Sequence, residues 1–262
     1  MILQGKRIVV IGGTSGIGLS AAEAFVRAGA SVVVTGRHPQ KVSAAAARLG
    51  PSACALASDA CTEGSAEQAI EACMHTFSGF DGLYHVAGGS GRRHGDGPLH
   101  ELSLEGWQRT FDINLTALML SNRAAVRAFR QQGHGGSILN MGSVLGFSPS
   151  PRYFSTHAYA AAKASAVGFT RAIAAHYAAD GIRVNLIAPA LVETPMSVRA
   201  QEDAAIMDFI RTKQPLEGGR IGIPSDLDGA AVFFLSDASR YATGQVLRVD
   251  GGWELSEGQY HD

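Results

Sequence analysis

Cysteine is scarce in this chain and wrongly spaced for its two structural uses. The 262 residues hold three, Cys54, Cys61 and Cys73, an odd number without a Cys-x-x-Cys pair, so neither a disulfide framework nor a zinc centre is indicated. Inert thiols in a reducing compartment fit better, and no metal is expected. An excess of charge of one sign is lacking too: 22 Lys and Arg stand against 23 Asp and Glu. Without a broad positive field, nucleic acid and anionic membrane are set aside as partners, and a small molecule becomes the default. No apolar run approaches the ~20 residues that cross a bilayer. The N-terminus, Met1 to Arg7, reaches a strand too soon to leave room for a signal sequence, which makes the cytoplasm the expected location. Hydrophobic residues are 46% of the chain and charged ones 17%, enough apolar surface for a large core, and no linker or repeat divides it. One α/β domain over 1–262 is expected.

Glycine, by contrast, is plentiful, and its placement matters. Arg7 to Ile11 is a continuous apolar run of the kind buried on both faces of a parallel sheet. Gly12, Gly16 and Gly18 follow at once, with Ser15 and Ile17 between them, and an apolar-periodic helix then runs to Ala28 and stops at Gly29. Strand, glycine-rich turn and helix are what a pyrophosphate site needs. Missing side chains let backbone N–H groups close on the phosphates, and the helix N-terminus adds its dipole. Gly12, Ser15, Gly16, Ile17 and Gly18 are therefore candidate cofactor-binding residues, a plain tight turn being the alternative. Ser31 to Thr35 forms a second strand ending at Gly36-Arg37-His38. An acidic residue there would accept from a ribose 2'-hydroxyl, whereas an arginine suits a 2'-phosphate. Arg37, with no carboxylate beside it, favours NADP(H) over NAD(H); the alternative is a solvated loop charge.

A helix from Gln40 to Leu49 and a strand from Ala53 to Ala57 lead to Asp59 and Ala60, where Asp59 either accepts from an adenine amine or caps the helix starting near Ser65. After a strand from Gly82 to Val86, Ala87 and Gly88 let the backbone approach a ligand closely. The loop from Ser90 to Pro98 is too rich in glycine and charge for regular structure. Arg92 and Arg93 within it either meet an anionic group on a substrate or are solvated charges. His134 enters its strand from the amino end, on the wrong edge of the sheet for catalysis.

One long helix is expected from about Ser103 to Arg130, with Asn114 in its middle and in need of partners. The strand from Ser137 to Met141 delivers Ser143 to the carboxyl end of the sheet, where its hydroxyl could donate to a carbonyl oxygen. Tyr159 and Lys163 stand at i and i+4 on an Ala-rich helix and so share a stripe. A phenol titrates near ~10; a neighbouring cation favours the phenolate and brings it toward working range, making Tyr159 a candidate general acid/base. A surface tyrosine beside a solvated lysine is the alternative.

Gly12-x-x-x-Gly16-x-Gly18, Asn114, Ser143 and Tyr159-x-x-x-Lys163, in this order and spacing, resemble the short-chain dehydrogenases/reductases. Asp59, the stretch from Pro189 to Thr194 and the closing segment Thr243 to Gly252 extend the resemblance over essentially the whole chain. It implies a three-layer Rossmann fold, a doubly wound parallel sheet of about seven strands with helices on both faces. It also implies hydride transfer between NADP(H) and a carbonyl or secondary alcohol. By resemblance Tyr159 gives or takes the proton, Lys163 lowers its pKa and binds nicotinamide ribose, Ser143 orients the reacting oxygen and Asn114 holds a relay water. Asp59, Ala60, Ala87, Gly88, Pro189, Val192 and Thr194 join the cofactor set. A homo-oligomer, dimer or tetramer, is implied, built partly on the helix from Thr156 to Ala179.

Departures from the family pattern are visible. Ile11 stands where relatives commonly have threonine, His85 where an asparagine ties adjacent strands, and Ala190 where a glycine is usual. The segment between Ser143 and Tyr159 is longer than usual and carries Pro149, Pro151, Tyr153 and Phe154, which should shape the pocket wall. His157 either touches substrate or is a surface residue at a helix start. Residues 193–216 read as a helical lid that selects substrate. The expected reaction is reduction of a 3-ketoacyl group or small ketone, or the reverse. Enoyl reduction is disfavoured, since relatives that reduce carbon-carbon bonds space the tyrosine and lysine more widely. A catalytically idle nucleotide-binding or sensing module is the alternative, opposed by the intact quartet of side chains.

Overall fold

A computed structural model describes residues 1–259. Strands and helices alternate as β1 (Arg7–Ile11), α1 (Gly16–Arg27), β2 (Ser31–Gly36), α2 (Pro39–Leu49), β3 (Ala53–Ala57), α3 (Ser65–Phe77), β4 (Gly82–His85), α4 (Leu104–Phe111), α5 (Ala117–Gln132), β5 (Gly136–Met141), α6 (His157–Tyr177), β6 (Ile182–Pro189), α7 (Val198–Gln201), α8 (Ala204–Lys213), α9 (Asp228–Leu235) and β7 (Val246–Val249). The seven strands order as β3-β2-β1-β4-β5-β6-β7, and every neighbouring pair is parallel. Strand order reverses between β1 and β4, the point beyond whose carboxyl ends such sheets bind ligands. The doubly wound architecture expected from the resemblance is therefore present.

Both faces of the sheet are covered because successive strand side chains alternate. Ile8 and Val10 join one core with Phe25 of α1 and Leu235 of α9, while Val9 and Ile11 join the other with Ile70 of α3 and Phe129 of α5. Each fully buried Val or Ile contributes roughly 1.5–3 kcal/mol. A smaller cluster joins Val144 to Ile206, Phe209, Ile210 and Trp253 and fastens α8 over the carboxyl end of β5.

The expected long helix runs without interruption from Leu104 to Gln132 but widens into a π turn at Asp112–Thr116, between α4 and α5. Asn114 explains the widening. Its Nδ2 donates to the carbonyl of Thr110 at 2.9 Å, the acceptor that the Asn114 backbone N–H would use in an α-helix, so the ladder widens there. One expectation needs correction: Asp59 does not cap α3. Gly64 holds that position with φ 86°, and Asp59 Oδ1 accepts the N–H of Cys61 at 3.0 Å.

Candidate active site

The chain leaves β1 through Gly12 (φ 88°) and Gly16 (φ 52°), conformations in which a side chain is strained. A Cβ on Gly18 would lie 2.2 Å from the Gly12 carbonyl oxygen, and one on Gly12 would lie 2.7 Å from the Ala87 nitrogen. Turn, α1 and the end of β4 thus meet backbone to backbone. Ser15 stands at the N-cap of α1 without a side-chain cap bond, and the first turn holds no acid. Its N–H groups and the positive end of the dipole are left for a ligand. Ile11 cannot support the turn as a threonine would, and Thr35 of β2 does so instead. Its carbonyl accepts from Gly12 at 3.1 Å and Gly13 at 2.9 Å, and its Oγ1 accepts from Gly12 at 3.4 Å. Thr194 closes the other side, 3.3 Å from where a Gly16 Cβ would be.

This cradle suits a dinucleotide pyrophosphate, since added Cβ atoms would fill it. Past β2, Arg37 is exposed and bonds no acid among the described residues. Asp59 and Ala60 are half-buried at the end of β3, Pro189 closes β6, and the buried Val192 bridges to Gly222.

The catalytic candidates converge beside the turn. Ser143 follows β5, accepts the Leu145 N–H at 3.2 Å and hydrogen-bonds the Tyr159 phenol. One helical turn along α6, Lys163 is 3% exposed; its Nζ donates to the Met141 carbonyl at 2.9 Å and stands 5.6 Å from the Tyr159 ring centroid. Asn114 pairs with Gly89 as one peptide pairs with another, the Gly89 N–H donating to Oδ1 at 3.2 Å and Nδ2 to the Gly89 carbonyl at 2.9 Å. A Cβ on Gly88 would come within 2.8 Å of Asn114 Oδ1 and 3.6 Å of Lys163 Nζ, so its absence lets β4 end against both.

The electrostatics differ from expectation in one respect. Burial pulls the Lys163 ammonium down to about 8. Burial also holds the Tyr159 phenol above its ordinary value, against the opposing bond from Ser143. At Tyr159 the loss of water around the ring thus outweighs the Ser143 bond.

His85, in place of the strand-tying asparagine, points from β4 toward α5. Its Nδ1 lies 2.8 Å from Ser121 Oγ, and that hydroxyl donates to the Leu118 carbonyl at 3.0 Å. The buried Nε2 has no hydrogen-bond partner among the described residues. Burial, then the Lys163 charge, push this imidazole down to about 3, so it is neutral. The tie between elements passes instead to Asn140 of β5, whose Nδ2 donates to Asn122 Oδ1 and to Thr170 Oγ1, both at 3.0 Å.

Sequence reasoning misses Asp96. Its two carboxylate oxygens accept the N–H groups of Ala158 and Tyr159, each at 3.0 Å, so an acid in the loop after β4 caps the helix that carries the phenol. Between two glycines it reads only as a turn, and its partner lies 62 residues away. Arg93, His157 and His134 are exposed, while Arg92 is half-buried and donates to the Tyr153 carbonyl at 3.4 Å. Within 193–216 the chain forms α7 and α8, and the extra segment before α6 packs on α8 and on the stretch after β7: Tyr153 meets Phe209 at 5.1 Å between ring centroids, and Phe154 meets Trp253 at 5.9 Å. No cluster of His, Cys, Asp and Glu able to hold a metal, and no helix long and apolar enough to cross a membrane, occurs among the described residues.

A family model described as Enoyl-(Acyl carrier protein) reductase matches residues 12–254. The chain is 36% identical over 252 residues to a 2,5-dichloro-2,5-cyclohexadiene-1,4-diol dehydrogenase of Sphingobium indicum, covering 96% of this chain and 98% of that one. It is 33% identical over 260 residues to 3beta-hydroxysteroid dehydrogenase 1 of Eggerthella lenta, covering 98% and 96%. Among solved structures, a short-chain type dehydrogenase/reductase from Mycobacterium ulcerans superimposes with a TM-score of 0.89 at 31% identity, over 98% of this chain and 93% of that one. The 3-ketoacyl-(acyl-carrier-protein) reductase from Brucella melitensis, complexed with NADH, gives 0.83 at 29% identity, over 96% and 99%. Sequence and backbone agree along nearly the whole length, and the chain belongs to the short-chain dehydrogenases/reductases, oxidoreductases acting between CH–OH and C=O groups.

Proposed function

We propose that the protein is an NADP(H)-dependent dehydrogenase/reductase of an alicyclic secondary alcohol and its ketone. The observation that carries this reading is the cluster at the carboxyl end of the sheet. There the Tyr159 phenol is bonded to Ser143, and the buried Lys163 ammonium lies 5.6 Å from the ring. A bound nicotinamide supplies the hydride in reduction and accepts it in oxidation. Ser143 Oγ holds the substrate oxygen. Tyr159 Oη gives that oxygen its proton in reduction, burial keeping the phenol protonated until then, and as the phenolate it removes the proton in oxidation. The Lys163 charge stabilises the phenolate as it develops. Asn114, fixed to Gly89 and Thr110, keeps the backbone beside Lys163 open for the water of a proton relay.

For the cofactor, Gly12, Ser15, Gly16, Ile17 and Gly18 would hold the pyrophosphate, and Asp59 and Ala60 the adenine. Ala87, Gly88, Pro189, Val192 and Thr194 would line the nicotinamide half. Arg37, with no acid partner among the described residues and a glycine at position 36 before it, supports a 2'-phosphate. The relatives named for a cyclohexadiene diol and a hydroxysteroid support a ring substrate, as do the aromatic walls Tyr153 and Phe154. The Tyr-x-x-x-Lys spacing supports carbonyl over enoyl reduction, and residues 193–216 serve as the lid. A homo-oligomer in the cytoplasm completes the reading.

Fluorescence titration should show NADPH binding about tenfold tighter than NADH, with Arg37→Ala removing the difference; equal affinities in the parent protein would remove Arg37 from the site. A screen of cyclohexanol, cyclohexane-1,4-diol and a 3β-hydroxysteroid with NADP should find turnover. Reduction of an open-chain 3-ketoacyl thioester with none of the ring alcohols oxidised would overturn the ring assignment.

A further inference from the structure

Three segments on the carboxyl side of the sheet are joined to the candidate site. The loop after β4 is tied to Asn114 through Gly89 and to α6 through Asp96. The segment around Tyr153 joins Ser143 to Tyr159. The helix α7 starts just past Thr194, whose N–H donates to Ser197 Oγ at 3.0 Å. From the first and third segments two arginines reach the second. Arg92 Nη2 donates to the Tyr153 carbonyl at 3.4 Å, and Arg199 Nη2 donates to the same oxygen at 3.2 Å.

One neutral carbonyl is a poor end point for two cations. It takes one N–H from each guanidinium and carries no charge of its own to neutralise them. Neither arginine forms an ion pair among the described residues, whereas Arg7, Arg48, Arg123, Arg220 and Arg248 all do. Asp96 is the acid felt by Arg92, but both its oxygens are taken by α6. Burial, and then the nearness of Arg199, push Arg92 below its ordinary value, and Asp96 offsets them only in part. The Arg199 guanidinium carbon lies 6.0 Å from the centre of the Phe154 ring. Two planar forks that converge on one oxygen, Arg199 also against an aromatic ring and neither paired with an acid among the described residues, match the bidentate geometry of a carboxylate.

We propose that Arg92 and Arg199 form a carboxylate subsite at the mouth of the active site, so that the preferred substrate is an alicyclic secondary alcohol, or its ketone, that also bears a carboxylate. The inference rests on the ring-alcohol reading and adds the charged group. The anion would bridge the loop after β4 and α7, so that binding the acid also draws the lid against the substrate.

Two measurements on the full chain with cofactor test this. The first compares oxidation of 4-hydroxycyclohexanecarboxylate with that of its methyl ester in the parent protein and in Arg92→Gln, Arg199→Gln and the double variant, with Arg93→Gln as an exposed control. A KM for the acid about tenfold below that for the ester is expected in the parent, with the ratio collapsing toward one in the double variant, kcat for the acid changing little, and Arg93→Gln keeping the parent ratio. An acid-to-ester ratio near one in the parent, or one untouched by the double variant, overturns the subsite. The second measurement is calorimetric binding of cyclohexanecarboxylate, which cannot be oxidised at a carbinol. Binding that the double variant loses upholds the subsite even where no ring alcohol turns over, in which case only the parent reading fails; no binding by the parent protein sinks the subsite alone.

Discussion

Replacing Lys163 by Met should change how stability depends on pH, in a direction set by the buried ammonium. In the unfolded chain this lysine titrates at its ordinary 10.5; in the fold, burial lowers it to about 8. Between those values the unfolded chain holds one proton more than the folded one, so the stability of the parent protein rises with pH across this window. Below about pH 8 both states are charged and the fold bears the full cost of the buried cation; above 10.5 neither is charged and the cost is gone. At ~1.36 kcal/mol per pKa unit, the difference amounts to about 3 kcal/mol. Met removes the charge while keeping most of the length. It also abandons the Met141 carbonyl, and a bond from a charged donor is worth roughly 1.5–3 kcal/mol, so at pH 7 the two effects largely cancel. The slope is therefore the decisive quantity. Urea denaturation of the cofactor-free parent and Lys163→Met, measured from pH 7 to 10.5, should show the parent gaining about 3 kcal/mol relative to the variant. Other titrating groups are common to both and cancel. A difference that stays constant over this range would refute a lysine held near 8 by burial.

Tyr159→Phe should lower kcat by about 10²–10⁴ while cofactor affinity, followed by fluorescence, stays within about twofold; turnover close to that of the parent would leave the reaction without its proton donor. Gly18→Ala places a Cβ where 2.2 Å separates it from the Gly12 carbonyl oxygen, so α1 must shift; a loss of about 1–3 kcal/mol in stability and weaker dinucleotide binding by calorimetry are expected, and parent-like values in both would mean the turn is looser than its backbone contacts indicate. Asp96→Ala should cost about 1–2 kcal/mol, as loss of a helix cap does, and lower kcat because Tyr159 sits in the turn it caps, with Asp96→Asn between the two. Melting temperatures identical across the three proteins would remove Asp96 from the support of α6.

Local signals in the chain carried most of the fold. β1 and β2 were legible because a parallel strand buried on both faces is apolar throughout and ends abruptly at glycine. The glycine turn was legible because a Cβ on Gly12 or Gly18 would meet backbone and Gly16 holds a positive φ. What could not be read depends on pairings across long distances or on competition between side chain and backbone. Asn114 sits in a segment whose apolar spacing is helical throughout. Only its contact with Gly89, 25 residues away, shows why the amide turns back on Thr110 and opens a π turn. Asp96 carries no signature at all until α6 is folded against it. Arg199 lies on a surface helix with nothing in its neighbours to mark it, and acquires meaning only when Tyr153 brings it to Arg92.

The sign of the Tyr159 shift was illegible for a different reason. Spacing shows that a cation and a phenol are neighbours, but not how much water either has lost. Burial penalises the charged form of each, so it raises the phenol and lowers the ammonium, and the two effects move the pair toward a state with fewer charges. In the ligand-free site the phenol is consequently a held proton rather than a ready base. In the proposed alcohol oxidation, where Tyr159 would accept a proton, the phenolate would draw its stabilisation from interactions made when cofactor and substrate are seated, among them the Ser143 bond shared with the substrate oxygen and the nearby Lys163 charge. Interactions that strengthen only in the assembled complex lower the barrier without deepening the ground state, and the same burial that raises the phenol makes each of them stronger than it would be in water.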